Sequence, residues 1–196
     1  MKVLYNGKAV IMGIEEINLD AFPDLQVIGC NCTGLDHLPW REIDRQGIKV
    51  ISLKDYPEFI KEIISTAEHT IGLIIALMRN YKVALNYPYK DREFYKGNTL
   101  KGKILGIVGY GRIGKQVTRI AEVFGMNTVI NEKDFHRKSL EALLAISDIV
   151  SVHIPLSGNE GFFTKEMFQQ MKPTSYFINT SRDKVVEKGA LIFALK

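Results

Sequence analysis

Cysteine is scarce in this 196-residue sequence, and its scarcity excludes several classes of protein. Cys30 and Cys32 are the only two, which is too few for a disulfide framework, and they stand too close together for an ordinary bridge. A zinc site built on them would take His37 as a third ligand, but the sequence offers no fourth ligand at a usable spacing. We therefore expect no bound metal and a reducing compartment, the cytoplasm.

Long apolar runs and blocks of like charge are also missing. The most apolar stretch, residues 71–77, is far too short to span a bilayer. Lysine and arginine are scattered along the chain, and the formal net charge of +4 is small. The sequence thus predicts no membrane segment and no nucleic-acid-binding tail. Its 46% hydrophobic and 24% charged residues are typical of a globular protein.

Short β-rich runs alternate with helical patterns along most of the chain, which predicts an α/β fold with doubly wound parallel sheets. Residues 87–100 have no clear period and contain Pro88, Gly97 and Asn98, so we interpret them as a connector. The connector divides the chain into two domains, residues 1–97 and 98–196. Strands are predicted at 9–12, 25–29, 48–51, 103–108, 127–131, 149–154 and 176–180. Helices are predicted at 40–46, 112–124, 139–146, 164–171 and from 188 onward.

A further helix is predicted to begin near Thr66. Its apolar residues surround the helix axis instead of forming one stripe, which indicates burial on most sides. An ordinary interior helix and a contact between two subunits explain this pattern equally well.

The segment Gly109-Tyr110-Gly111-Arg112-Ile113-Gly114 directly follows an apolar strand and directly opens an amphipathic helix. In such a loop the first glycine permits a tight turn, the second lets a pyrophosphate approach the backbone, and the third lets helix and strand pack closely. The N–H groups of Arg112 and Ile113 would then face the phosphates, with the helix dipole behind them. The segment therefore predicts a dinucleotide site.

An acidic residue, Glu132, follows the next predicted strand. A carboxylate at that position accepts hydrogen bonds from the ribose hydroxyls and repels a 2′-phosphate. The sequence therefore favours NAD over NADP as the cofactor, although Lys133 and Arg137 lie nearby and weaken that preference.

Five stretches together resemble one known family. They are residues 32–36, residues 66–70, residues 100–114, the segment His153-Ile154-Pro155-Leu156 and the segment Ile178-Asn179-Thr180-Ser181-Arg182. On these stretches the chain resembles the D-isomer-specific 2-hydroxyacid dehydrogenases, the phosphoglycerate dehydrogenase-like group among them. The resemblance implies a partial, flavodoxin-like substrate domain over residues 1–97, which includes the interdomain helix. It implies a Rossmann-type NAD-binding domain over residues 98–196.

The resemblance also implies roles for particular residues. Thr33 and Gly34 would turn backbone N–H groups toward the substrate carboxylate or the nicotinamide. Arg182 would hold the carboxylate of a 2-hydroxy or 2-oxo acid and polarise its carbonyl, because its planar fork matches a carboxylate in two places. The implied cofactor contacts are Gly109, Gly111, Arg112, Ile113, Gly114, Glu132, His153, Ile154, Pro155, Thr180, Ser181 and Arg182. A homodimer is also expected, since the family typically pairs through its cofactor domain.

The family's catalytic base is a histidine tuned by a glutamate, and both lie downstream of the arginine motif. This sequence has no histidine after His153 and ends at Lys196, so the chain is expected to be truncated at both ends relative to the family. We do not expect His37, His69 or His136 to substitute, and His69 is interpreted as a satisfied interior histidine. Three hypotheses follow, and the third is a decayed fragment with no retained activity. The other two assign a function. The chain is a dehydrogenase that binds NADH and turns over poorly, or it is a catalytically silent NAD-binding module.

Overall fold

The computed structural model describes residues 3–5, 7–87, 92–131 and 137–195. The chain divides into two compact units, residues 1–63 (unit 1) and residues 64–196 (unit 2). Each unit contains one four-stranded sheet. Across the part of the chain that the structure describes, no helix combines the length and the apolar character needed to cross a bilayer.

Unit 1 is built on a sheet of four strands in the order β1-β2-β3-β4. Its strands are β1 (Val3–Tyr5), β2 (Ala9–Met12), β3 (Val27–Cys30) and β4 (Lys49–Ser52), and its helices are α1 (Trp40–Gln46) and α2 (Pro57–Lys61). Val10 and Met12 of β2 and Ile28 of β3 point to one face of the sheet and are buried, because side chains alternate along a strand. Ile43 of α1 joins them in the core, and α1 ends at Gly47 in the left-handed conformation, with φ +65°.

Strand β1 was not predicted from the sequence. This strand runs antiparallel to β2, whereas β2, β3 and β4 are parallel to one another, so the first sheet is not purely parallel as predicted. Tyr5 lies opposite Ala9, and Gly7 between them has φ +70°. The Asn-Gly pair at residues 6–7 was the signal that could have indicated a hairpin.

Unit 2 is a doubly wound α/β domain. Its four parallel strands follow the order β6-β5-β7-β8, which is the fold class that the sequence predicted. The strands are β5 (Ile104–Val108), β6 (Asn127–Asn131), β7 (Ile149–Val152) and β8 (Tyr176–Asn179). The helices are α3 (Ser65–Met78), α4 (Tyr81–Asn86), α5 (Arg112–Val123), α6 (Arg137–Ile146), α7 (Lys165–Gln170) and α8 (Ala190–Ala194).

Both faces of the second sheet are covered, which is why every residue of β7 is buried. One core cluster combines Ile74 of α3 and Val117 of α5 with residues of the central strands. The other combines Leu143 of α6 with Phe163 and Phe168 on the opposite side. This arrangement leaves the ends of the strands as the places where loops can form a site.

Helix α3 belongs to unit 2, whose first residue is Ile64, and the domain boundary at 97/98 stays a prediction. The physical reason is packing, since Ala67, Ile71 and Ile74 of α3 lie in the same core cluster as the second sheet. Within the single chain the helix is buried on one side, which excludes an ordinary interior helix and leaves the subunit contact as a prediction. Leu73 is 36% exposed and Leu77 is 41% exposed.

Candidate functional site

The loop between β5 and α5 contains two positions that only glycine can occupy. Gly109 has φ +95°, and a Cβ added there would lie 2.8 Å from the carbonyl oxygen of His153. A Cβ added at Gly114 would lie 2.2 Å from the carbonyl oxygen of Gly109. These contacts match the mechanical roles expected of the first and third glycines, a tight turn and a close approach of helix to strand.

Gly111 has a different environment. It caps the N-terminus of α5 with φ −73°, and no side chain caps the helix there by a hydrogen bond. Apart from its neighbours along the chain, no described atom lies within 4 Å of the place where its Cβ would be. The first N–H groups of an α-helix have no acceptor within the helix, and they attract anions. The residues present therefore fit a diphosphate, because open space at Gly111 coincides with the N-terminus of an α-helix.

The loop is held at the carboxyl edge of the second sheet by backbone hydrogen bonds. The N–H of Gly109 donates to the carbonyl of Asn131 at 2.8 Å, and the N–H of His153 donates to the carbonyl of Val108 at 2.8 Å. Because β5, β7 and β8 are adjacent and parallel, the loops that follow them reach the same edge.

That edge brings together most of the residues proposed from the sequence for the cofactor. They are Gly109, Gly111, Arg112, Ile113, Gly114, His153, Ile154, Pro155, Thr180, Ser181 and Arg182. Glu132 lies outside the described residues. Thr33 and Gly34 belong to unit 1, where they lie in the bend that follows β3.

The segment 180–182 is shaped by Asn179, a residue to which the sequence analysis assigned no role. Its Oδ1 accepts hydrogen bonds from the backbone N–H of Ser181 at 2.9 Å and from the Ser181 hydroxyl at 2.8 Å. Its Nδ2 donates to the carbonyl of Arg182 at 2.7 Å. The guanidinium of Arg182 donates from Nη1 to the carbonyl of Ser181 at 3.0 Å. Asn179 therefore holds the backbone from which the Arg182 side chain extends.

Helix α3 contacts this segment through a pair of hydroxyl groups. Thr70 Oγ1 donates to the carbonyl of Thr66 at 2.8 Å and lies 3.0 Å from Thr180 Oγ1. Since the Thr70 hydroxyl hydrogen is used within the helix, the Thr180 hydroxyl is the donor between the two. This role of Thr70 was not predicted from the sequence, although the residue lies in one of the stretches that resemble the family.

A cavity of about 440 Å³ opens between the first turns of α3 and residues 179–181. His69 lines it and is exposed, so the interpretation of His69 as an interior histidine is wrong. Thr70, the next residue along the helix, turns inward and is fully buried, so His69 lies on the side of α3 that faces the cavity.

His153 is a half-buried imidazole at the end of β7. Its Nε2 lies 3.0 Å from the hydroxyl of the buried Ser151, and burial lowers the pKa of His153 to about 4. The ring is therefore neutral at physiological pH, and it adds no charge to the edge where the glycine loop lies.

One lysine near the glycine loop was not singled out from the sequence. Lys115 extends its Nζ over the ring of Tyr110, at 5.5 Å from the ring centroid, and so places a cation within the first turn of α5. Among the described residues, no three His, Cys, Asp or Glu side chains come together in a group that could hold a metal ion.

Comparison with known proteins identifies relatives for both units. Residues 71–196 match the profile of the D-isomer specific 2-hydroxyacid dehydrogenase NAD-binding domain. The chain is 33% identical over 198 residues to D-3-phosphoglycerate dehydrogenase of Bacillus subtilis, an alignment that covers 93% of this chain and 37% of that protein. It is 35% identical over 199 residues to glyoxylate reductase of Thermofilum pendens, covering 91% of this chain and 57% of the relative.

Solved structures show the same likeness. The structure of D-lactate dehydrogenase from Aquifex aeolicus, complexed with NAD and lactic acid, superposes with a TM-score of 0.78 at 26% identity, covering 96% of this chain and 60% of that one. The structure of D-lactate dehydrogenase from Escherichia coli superposes with a TM-score of 0.80 at 26% identity, covering 96% of this chain and 64% of the other. The chain thus spans less than two thirds of the length of these relatives.

Proposed function

The chain belongs to the D-isomer specific 2-hydroxyacid dehydrogenase family, and from that premise we propose that it holds NAD(H) for hydride transfer between the nicotinamide and a 2-hydroxy or 2-oxo acid. NAD is the cofactor of the domain that residues 71–196 form. The observation that carries the proposal is the open space at Gly111, at an uncapped helix N-terminus, between two glycines that no larger residue can replace. Such a site selects a diphosphate.

Each part of the proposed site would bind a different group of the cofactor or the substrate. The first N–H groups of α5, at Arg112 and Ile113, would bind the diphosphate, and Thr180 and Ser181 would border the nicotinamide. Arg182 would hold the substrate carboxylate and polarise the carbonyl oxygen. Thr33 and Gly34 of unit 1 would offer backbone N–H groups to the substrate carboxylate or to the nicotinamide. Bound NAD(H) supplies or accepts the hydride. Glu132 would favour NAD over NADP by accepting hydrogen bonds from the ribose.

One experiment tests the cofactor assignment directly. Purified 196-residue chain is titrated with NADH and with NADPH, with the dinucleotide fluorescence as the signal. We expect saturable binding of NADH and weaker binding of NADPH. Absence of affinity for either dinucleotide would contradict the proposal. Glyoxylate, hydroxypyruvate and other 2-oxo acids are then added to the same sample to identify the substrate.

A second candidate function, NAD binding without turnover, has one specific observation in its favour. His153 has a pKa of about 4 and its Nε2 lies next to the Ser151 hydroxyl, so at neutral pH it carries no proton that it could donate as an imidazolium. The two candidates differ in the second half of the experiment. Oxidation of NADH on addition of any 2-oxo acid supports the dehydrogenase and excludes the silent module.

We also propose that the chain forms a homodimer through α3. Leu73 and Leu77 are 36% and 41% exposed on that helix, and exposed leucines on one helix face are typical of a subunit contact. Light scattering is expected to give twice the chain mass of 22.2 kDa. Leu77→Glu is expected to reduce the mass to that of one chain, because a charge at a closed apolar contact is costly. A monomeric unaltered chain would argue against the dimer.

A further inference from the structure

Thr70 carries a fully buried hydroxyl on the inner side of helix α3. Its neighbours Ala67 and Ile71 lie in the core cluster that α3 shares with the second sheet. Burying a hydroxyl group is costly unless the group is hydrogen-bonded. Thr70 Oγ1 meets this requirement with two partners, the carbonyl oxygen of Thr66 at 2.8 Å and Thr180 Oγ1 at 3.0 Å.

The chemistry of the partners fixes the direction of these two hydrogen bonds. A carbonyl oxygen only accepts, so the single hydroxyl hydrogen of Thr70 points to Thr66. Thr70 Oγ1 then accepts the hydroxyl hydrogen of Thr180. The Thr180 oxygen keeps its lone pairs and has no hydrogen left to donate to a ligand. Its donation to Thr70 also makes that oxygen a better acceptor, because hydrogen bonds in a chain polarise one another.

Thr180 connects this buried chain of hydrogen bonds to the cavity of about 440 Å³, which it lines together with His69 and Ser181. A threonine side chain has one torsion between its heavy atoms, and the bond to Thr70 Oγ1 holds that torsion. Asn179 holds the backbone on the other side, since its Oδ1 accepts from the N–H of Ser181 at 2.9 Å. A ligand in the cavity therefore meets a fixed acceptor at Thr180.

A fixed acceptor selects a ligand group that carries an N–H or an O–H. In the proposed function Thr180 borders the nicotinamide, and the N–H groups of a nicotinamide are those of its carboxamide. We propose that Thr70 is a positioning residue that acts through Thr180, whose oxygen accepts a hydrogen bond from the carboxamide. This inference rests on the proposed function. A carboxamide held in this way limits rotation of the ring about its bond to the ribose, so the same face of the ring is presented to the acid.

The test compares NADH with reduced 3-acetylpyridine adenine dinucleotide, in which a methyl group replaces the carboxamide NH2. Thr70→Val keeps the shape of the side chain and removes the hydroxyl, so the Thr180 hydrogen loses its acceptor and becomes free to turn toward the cavity. We expect the dissociation constant for NADH to rise about three- to tenfold, which is the effect of one hydrogen bond. The dissociation constant for the analogue is expected to change by less than about twofold. Calorimetric titration of the 196-residue chain measures both.

Two further variants separate a positioning role from a general effect on the fold. Thr70→Ser keeps the hydroxyl, and its dissociation constant for NADH is expected to stay within about twofold of the unaltered value. Thr180→Val removes the acceptor itself. Adding Thr70→Val to Thr180→Val is expected to have no further effect on NADH binding, because Thr70 acts only through Thr180.

Thr118 on α5 supplies the matched control. Its buried hydroxyl donates to the carbonyl of Gly114 at 2.9 Å, which is the same type of bond within a helix that Thr70 makes to Thr66. Thr118 lies outside the lining of the cavity. Thr118→Val is therefore expected to leave the ratio of the two dissociation constants unchanged, whereas Thr70→Val is expected to change that ratio by about three- to tenfold.

Two outcomes contradict the proposal in different ways. If the unaltered chain binds both dinucleotides and Thr70→Val changes the two dissociation constants equally, or changes neither, the positioning role of Thr70 is overturned and the cofactor assignment stands. If the unaltered chain binds neither dinucleotide, the proposed function fails and the role of Thr70 fails with it.

Discussion

Replacing Gly111 by valine is expected to remove most of the affinity for NADH while the fold remains stable. The backbone at Gly111, with φ −73°, is one that any residue adopts, and apart from its neighbours along the chain no described atom lies within 4 Å of the added Cβ. The side chain would therefore occupy the space proposed for the diphosphate. Losing two charge-assisted hydrogen bonds to the diphosphate lowers the binding free energy of NADH by about 3 kcal/mol. That loss raises the dissociation constant for NADH roughly a hundredfold. Fluorescence titration with NADH measures the effect.

Gly114→Ala provides the matched comparison within the same loop. Its Cβ would lie 2.2 Å from the carbonyl oxygen of Gly109, a backbone atom that cannot rotate away. We expect this smaller substitution to lower the free energy of unfolding by about 3 kcal/mol, measured by urea denaturation. Gly111→Val is expected to change that free energy by less than about 1 kcal/mol. A Gly111→Val variant that binds NADH as tightly as the unaltered chain would show that the diphosphate lies elsewhere.

Loss of the Arg182 guanidinium is expected to weaken binding of the acid far more than binding of the dinucleotide. We propose that the guanidinium forms two parallel hydrogen bonds to a carboxylate, and such bonds to charged groups are worth about 1.5–3 kcal/mol each. Arg182→Ala is therefore expected to raise the dissociation constant for oxamate, an unreactive 2-oxo acid analogue, by about a hundredfold or more in the presence of NADH. Arg182→Lys is expected to give an oxamate dissociation constant between those of the unaltered chain and Arg182→Ala, because lysine keeps the charge and lacks the planar guanidinium.

Arg119 supplies the control for the loss of a positive charge. It is exposed on α5, outside the edge where the loops meet, and Arg119→Ala is expected to leave oxamate affinity within about twofold of the unaltered value. The NADH dissociation constant is measured for every variant. The proposed role of Arg182 is contradicted if Arg182→Ala changes the dissociation constants for NADH and oxamate equally, or if it leaves the oxamate dissociation constant unchanged.

The features that the sequence predicted best are those that depend on residues close together along the chain. The strand, glycine loop and helix of residues 104–123 follow from a local apolar run, three glycines and an amphipathic period, and the structure places them within a residue or two of the prediction. Thr164 illustrates the same point, because its hydroxyl caps α7 by accepting from Met167 N at 3.4 Å, as the start of the predicted helix required.

Features that depend on contacts between residues far apart in the chain could not be predicted from the sequence pattern. The Thr70–Thr180 hydrogen bond joins residues 110 positions apart, so it exists only because α3 packs beside the end of β8. The exposure of His69 and the place of α3 in unit 2 depend on the same packing. The sequence alone determined that a glycine loop and its flanking strand and helix would form, because their signals are local. Only the tertiary structure decided which loops share an edge and which side of α3 is buried, because those outcomes depend on contacts between residues far apart in the chain.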